Sequence, residues 1–269
     1  MSTPDLSLLI PLYNEEECLI PNLRRLLAFL RARGLDAEVI LGSNGSTDAT
    51  AAIGRLLEEA CPERIRFFHL PRRGVVGRVF KESLRLASSP HLVSVDADLS
   101  IDLEFIPRAH ALLRTSHVVV GSKQSGTQAR SPLRRLGSGA FIICAQLLLG
   151  LPYDDYSIGA KAYRKEIFGG WEEQMSDDTN YEMDVLYRCN HAGLKTAVLP
   201  VGCSDWRTSR FRLLGEAFVK YTHLLRLFLS RRSLPARINE AYRGPPGPDE
   251  QELLRKMRRS FRRLVDRDS

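Results

Sequence analysis

Two carboxylates two positions apart, Asp96 and Asp98, close a short apolar run, Leu92-Val93-Ser94-Val95. Hard cations such as Mg2+ or Mn2+ prefer oxygen donors and are often held by one or two carboxylates together with substrate phosphates. An Asp-x-Asp at the exit of a buried strand can therefore hold a divalent cation and, through it, a diphosphate. Taken alone, such a pair is more often a solvated acidic turn. The weight of the assignment rests on what the rest of the chain places beside it.

The elements that would position this pair alternate along the chain. Ser7-Leu8-Leu9-Ile10 reads as a buried strand, and Pro11-Leu12-Tyr13-Asn14-Glu15 leaves it as a turn. Leu19, Leu23, Leu26, Leu27 and Leu30 recur at helical spacing, and Gly34 closes that helix. Glu38–Leu41 is a second strand, followed by Gly42-Ser43-Asn44-Gly45-Ser46-Thr47-Asp48. The last three of these are suited to cap a helix running through Leu57, whose free N–H groups would face a phosphate. Arg64–Leu70 is a third strand, and the turn Arg72 to Arg78 leads into a helix ending near Ser88. Leu92–Val95 is the fourth. This alternation predicts an α/β fold, a mostly parallel sheet with helices on both faces. Ligands of such sheets sit beyond the carboxyl ends of the strands. The turns at Tyr13, Ser43–Asp48, Arg73–Arg78 and Asp96–Asp98 would open there together, with the parts for a nucleoside diphosphate and its metal.

Composition sets the frame. The chain of 269 residues is 43% hydrophobic, enough for one large α/β domain with or without a terminal extension. Met1 to Asp5 does not read as a signal peptide, and the apolar stretch from Gly139 to Leu151 is too short to span a bilayer comfortably. Five scattered cysteines without metal-ligand spacing read as reduced thiols of a cytosolic protein. The net charge of +7 is concentrated beyond Arg226, where Arg231, Arg232, Arg237, Arg255, Lys256, Arg258, Arg259, Arg262 and Arg263 lie. Such a tail suits an anionic surface, and a solvated terminus is nearly as good a reading. Aromatics are not interleaved with these arginines apart from Phe261, which argues against nucleic-acid binding.

The sequence resembles family 2 glycosyltransferases of the GT-A fold in Pro11-Leu12-Tyr13-Asn14-Glu15, Gly45-Ser46-Thr47-Asp48 and Asp96-Ala97-Asp98-Leu99. Further motifs are similar to the polyprenyl (dolichyl)-phosphate hexosyltransferase branch. These are Gly121-Ser122-Lys123, Arg134 to Ser138, Gly150 to Asp155, Gly159 to Arg164, Tyr181-Glu182-Met183-Asp184 and Val198 to Val201. The resemblance covers roughly residues 5–225, leaving 226–269 as a basic helical extension.

It implies inverting, metal-dependent transfer of a hexose from a GDP- or UDP-sugar to a lipid-linked phosphate. Asp96 and Asp98 fall on its metal and donor positions, with Asp98 the direct ligand. Pro11, Tyr13, Glu15, Ser43, Asn44, Asp48 and Arg73 fall on the donor side. Lys123, Arg135 and Arg210 fall at or near its phosphate-contacting positions, and Asp155 and Lys161 match the acceptor loop. Three positions depart from the pattern. Ser43-Asn44 stands where acids are usual, Ser100 where glutamine is common, and Lys123 where arginine is commoner, without the bidentate fork.

Negative charge develops on the leaving diphosphate, and a metal at Asp98 with Arg73 or Arg78 would stabilise it. A hydroxyl nucleophile would need a carboxylate base, for which Glu182 and Asp184 are candidates, although acids at a helix start also simply favour the dipole. A phosphate monoester is already largely ionised at neutral pH and needs cations instead. Lys123, Arg130, Arg134, Arg135, Lys161, Arg164, Arg207 and Arg210 supply them. The six histidines, His69, His91, His110, His117, His191 and His223, show no ligand pairing.

Gly139–Leu149 reads as a buried helix or one dipping into a bilayer surface. Phe218–Leu229, with Lys220 and Arg226, reads as an interfacial amphipathic helix. Pro245-Pro246-Gly247-Pro248 precedes a second basic helix capped by Asp249. The reading is a peripheral protein on the cytosolic leaflet, held by these segments or by a membrane subunit. The rival readings are a family 2 transferase with a hydroxyl acceptor on a glycan or small molecule, and an idle sugar-nucleotide-binding scaffold. A processive synthase is disfavoured, because no membrane spans and no Gln-x-x-Arg-Trp stretch are present.

Overall fold

Leu6–Leu12 forms β1, with every residue buried except the partly exposed Pro11. Burial on both faces is what a central strand of a parallel sheet requires. β1 pairs in parallel with β2 (Ala37–Asn44) on one side and β4 (His91–Ser94) on the other. β3 (Ile65–Leu70) adds in parallel outside β2. The computed structural model describes residues 3–122, 132–153, 156, 158–202 and 213–230. Within them β5 (Val118–Ser122), β6 (Lys161–Arg164) and β7 (Thr196–Pro200) complete a seven-stranded sheet in the order β3-β2-β1-β4-β6-β5-β7. β6 runs antiparallel to both neighbours, and the remaining pairs are parallel. The mostly parallel α/β sheet expected from the alternation is the one observed.

Successive side chains of β1 divide between two cores. Leu6, Leu8, Ile10 and Leu12 pack with the buried stripe Leu19, Leu23, Leu26 and Leu30 of α1 (Leu19–Ala32), with α2 (Thr50–Ala60) and with α4 (Phe105–Leu112). Leu9 points the other way, toward Phe80 and Leu84 of α3 (Val76–Leu86) and toward α6 (Tyr181–His191). Each fully buried leucine contributes about 1.5–3 kcal/mol relative to exposure. α1 stops where Gly34 takes φ 63°, and Leu35 N–H reaches back to Leu30 O.

Two helices of the second layer carry exposed apolar residues. In α5 (Pro132–Leu149), Ala145 and Leu149 are buried while Ile143 and Leu147 stand more than half exposed. In α7 (Leu213–Ser230), Leu224 is buried while Leu225 and Leu229 are exposed. The Phe141 ring meets Tyr221 edge-on at 5.4 Å. The apolar stretch of α5 is thus one-sided rather than wholly buried. Among the described residues no helix is long and apolar enough to cross a membrane. α7 runs through the 225/226 boundary drawn from sequence, and the tail beyond Ser230, with its expected second basic helix, lies outside the described residues.

Candidate active site

The turns that leave β1 and β2 are laced to each other by side chain to backbone bonds. Asn14 adopts φ 52°. Its N–H donates to Ser46 Oγ at 3.2 Å, and its Oδ1 accepts the Thr47 N–H at 2.9 Å. Glu15 N–H donates to Thr50 Oγ1 at 2.7 Å, and Glu16 N–H to Asp48 Oδ2 at 3.2 Å. Glu16 Oε2 accepts from Ala49 N–H at 2.8 Å, and Asp48 Oδ1 from Thr50 N–H at 3.0 Å. Burial pushes the Asp48 carboxyl up, but the bonds from Thr50 and Glu16 outweigh it and hold the group below its usual range. The Ala49 and Thr50 N–H groups at the start of α2 are thus taken by carboxylate oxygens, and Asp48 staples two turns together.

The turns that leave β2 and β3 are joined as tightly. Gly45 has φ 68°, and a Cβ there would sit 2.5 Å from Arg73 N; its N–H donates to Leu70 O at 2.8 Å. Asn44 Oδ1 accepts the Val75 N–H at 3.0 Å and so fixes the approach to α3. The Arg73 guanidinium lies over the Tyr13 ring, 4.2 Å from its centroid. Ser43 is fully buried, with its hydroxyl 3.0 Å from both Ser46 Oγ and His69 Nδ1. Reading of a base by Ser43 is therefore not what this arrangement offers, whereas Asn44 is partly exposed and its amide N–H2 group has no described partner.

Asp96 and Asp98 follow β4 on the same edge and are both partly exposed. Leu99 takes φ 48°, and Ser100 N–H donates to Asp98 Oδ1 at 3.0 Å. Asp98 Oδ2 accepts no hydrogen bond from a described residue. Among the described residues no group of three His, Cys, Asp or Glu side chains could hold a metal unaided. This donor set fits a hard cation that completes its sphere with diphosphate oxygens and water.

On the far side of Asp96 the polar groups are buried. Lys161, at the start of β6, has no solvent exposure. Its Nζ pairs with Glu182 Oε1 at 3.0 Å and donates to the Ile158 and Tyr156 carbonyls. Burial raises the Glu182 carboxyl, opposed by Lys161 and reinforced by the charge of Asp96. Asp184 is buried too, accepting from Ser176 N–H at 2.7 Å and paired with His223 Nε2 at 2.8 Å.

Two expectations are corrected here. Lys161 is an interior partner of Glu182 and not an exposed phosphate cation, and Asp184 has both oxygens engaged and does not present a free base. His223 was missed, since nothing in its sequence neighbourhood points to a carboxylate 39 residues away. The paired rings of His91 and His110, Nδ1 to Nδ1 at 3.2 Å, were equally invisible. Lys123, Arg130, Asp155, Arg207 and Arg210 lie outside the described residues, as do the side chains of Arg134 and Arg135.

A parallel sheet with one reversed strand and an Asp-x-Asp beyond β4 defines a sugar-nucleotide-transferase type of fold. Glucosyl-3-phosphoglycerate synthase from Mycobacterium tuberculosis with bound UDP superposes with a TM-score of 0.61 at 21% identity, over 86% of this chain and 81% of that one. The same enzyme with Mn2+ and UDP-glucose gives 0.59 at 20% identity, over 86% and 80%. These likenesses establish the GT-A glycosyltransferase fold.

The model of glycosyl transferase family 2 matches residues 7–170, and the chain belongs to that family. It is 33% identical to an undecaprenyl-phosphate 4-deoxy-4-formamido-L-arabinose transferase from Pseudomonas fluorescens, over 60% of this chain and 47% of that one. It is 28% identical to a polyprenol monophosphomannose synthase from Mycolicibacterium smegmatis, over 77% and 80%. The chain spans about half the length of the formamido-arabinose transferases it matches.

Proposed function

We propose that this chain transfers a hexose from a nucleoside-diphosphate sugar to a polyprenyl phosphate, with inversion at the anomeric carbon. The observation that carries the reading is the state of the two carboxylates a hydroxyl acceptor would call on. Glu182 is paired with Lys161, and Asp184 is held by Ser176 and His223. A phosphate monoester, with a second pKa of about 6, needs no base. The names of the two relatives above, an undecaprenyl-phosphate sugar transferase and a polyprenol monophosphomannose synthase, support the same choice of acceptor.

The three laced turns and the Asp96–Asp98 turn would hold the donor. Tyr13 and Arg73 present a ring and a cation at its edge, Asn44 an amide N–H2 group without a partner among the described residues, and Pro11 and Glu15 complete the first wall. A divalent cation held by Asp98 with Asp96 would neutralise the charge that develops on the leaving diphosphate. Lys123, Arg135, Arg207 and Arg210 are the cations proposed to meet the acceptor phosphate, and Asp155 is proposed to belong to the acceptor-side loop that precedes Lys161. The exposed apolar residues of α5 and α7 are proposed to rest on the cytosolic membrane surface, with or without a membrane subunit. The basic residues beyond Ser230 would add attraction to anionic lipid as a separate extension.

The test is transfer from a panel of GDP- and UDP-hexoses to a short polyprenyl phosphate in detergent with Mg2+ or Mn2+. Lipid-linked hexose formed by the wild type and reduced at least about a hundredfold in Asp98→Ala is the expected result. Donor consumption independent of the lipid would contradict it.

A further inference from the structure

Gly159 lies where the acceptor-side loop passes the Asp-x-Asp. A Cβ built on it would fall 2.6 Å from both Cγ and Oδ2 of Asp96, and closer still to Oδ1. No real Cβ tolerates such contacts, so the Asp96 carboxylate rests directly against the glycine backbone. This is a demand for close approach and not for unusual backbone angles.

The backbone on which Gly159 rides is itself fixed. Lys161 Nζ donates to the carbonyls of Tyr156 and Ile158, and its charge is anchored by Glu182. Lys161 is also held laterally, because β6 pairs it with Ser94 of β4 and Val120 of β5. A buried amine with a carboxylate and two carbonyls around it has little freedom. The line of contact runs from α6 through Glu182 and Lys161 to the Tyr156 and Ile158 carbonyls, then to Gly159 and Asp96.

We propose that Gly159 and Lys161 are positioning residues. They set the Asp96 carboxylate from the acceptor side and thereby tie the donor cation site to the acceptor loop. The proposal rests on the glycosyltransferase reading for the identity of the ligand, but the contact itself does not. Neither residue needs to touch donor, cation or acceptor. Enlarging Gly159 would push Asp96 toward the cation and diphosphate or turn it away, and either change weakens their binding.

A double-mutant cycle of Gly159→Ala and Asp96→Ala decides the matter. Two readouts are taken on the full chain: calorimetric affinity for UDP or GDP in the presence of Mn2+, and melting temperature. Gly159→Ala alone is expected to weaken Mn2+-dependent nucleotide binding roughly tenfold. In the Asp96→Ala background the same change should cost nothing further, because the carboxylate it displaces is gone. An equal loss in both backgrounds, or no loss in either, overturns the proposal.

Should Gly159→Ala melt too low to assay, the cycle in melting temperature stands in. The double variant should then recover to the level of Asp96→Ala, and failure to recover overturns the contact. A wild type that binds neither nucleotide with Mn2+ contradicts the functional reading instead. In that case additive melting changes would remove the contact as well, and coupled changes would retain it.

Discussion

The turns that leave β1, β2 and β3 and the buried charges around α6 both fix polar groups at one edge of the sheet, and they do so by different means. Between β1 and β3 the work is done by short side chains on main-chain partners: Asn14 with Ser46 and Thr47, Glu15 with Thr50, Asn44 with Val75. Around α6 it is done by charged groups from distant segments, Lys161 with Glu182 and His223 with Asp184. The first kind of fixing spreads over many bonds of modest strength, each worth about 1 kcal/mol net. The second concentrates it in pairs whose separation leaves an uncompensated buried charge. Losses in these turns should therefore be small and local, and losses around α6 large.

The largest effect expected is from Lys161→Met. It strands Glu182 in the interior and should lower unfolding stability by about 3–5 kcal/mol, read from urea denaturation. Burial already raises Glu182. In the variant the folded state therefore keeps that proton to higher pH than the unfolded state does, so the deficit should grow as pH rises through the folded value. Adding Glu182→Leu should return much of the loss.

A smaller cost, about 1–3 kcal/mol, is expected for Gly45→Ala, where φ 68° and the nearby Arg73 backbone leave no room for a Cβ. Similar losses for the two variants would erase the contrast. Asn44→Ala leaves the Val75 N–H without its acceptor and should cost about 1 kcal/mol, with a raised donor KM and little change in kcat.

The smallest effect concerns Glu38. Burial pushes its carboxyl up, but hydrogen bonds from Ser7 and Ser88 outweigh burial and hold it below the usual range. Its contribution is present above the unfolded value of about 4.3 and is lost as pH falls through the folded value. Acid unfolding of Glu38→Gln should accordingly be flatter below pH 4 than that of the wild type.

The same contrast explains what could be read from the chain alone. The first four strands and their turns were legible because apolar runs end in Pro11-Leu12-Tyr13, Gly42-Ser43-Asn44 and Asp96-Ala97-Asp98, signals that act over a few residues. The roles of some turn residues were not. Asp48 reads as a helix cap facing a ligand, and only the folded chain brings Glu16 and Ala49 into play beside it. The buried charges around α6 were less legible, since the partners are far apart in sequence. Lys161 reads as one more surface cation until Glu182 and the Ile158 carbonyl surround it. Gly159 opens one of the motifs that carry the resemblance, yet its contact with Asp96 shows only in the folded chain. Long-range pairing between unlike segments leaves no local pattern to find.

The most direct test of the account compares two acceptors in one assay: a short polyprenyl phosphate and the corresponding polyprenol, with the same nucleotide sugar and Mn2+. Because Glu182 and Asp184 are both engaged, the account predicts glycosylation of the phosphate and none of the alcohol. The wild type and Asp184→Asn should keep the same preference and a similar kcat. Comparable transfer to the alcohol, abolished by Asp184→Asn in a protein that still folds, would show that a base operates here and would contradict the account.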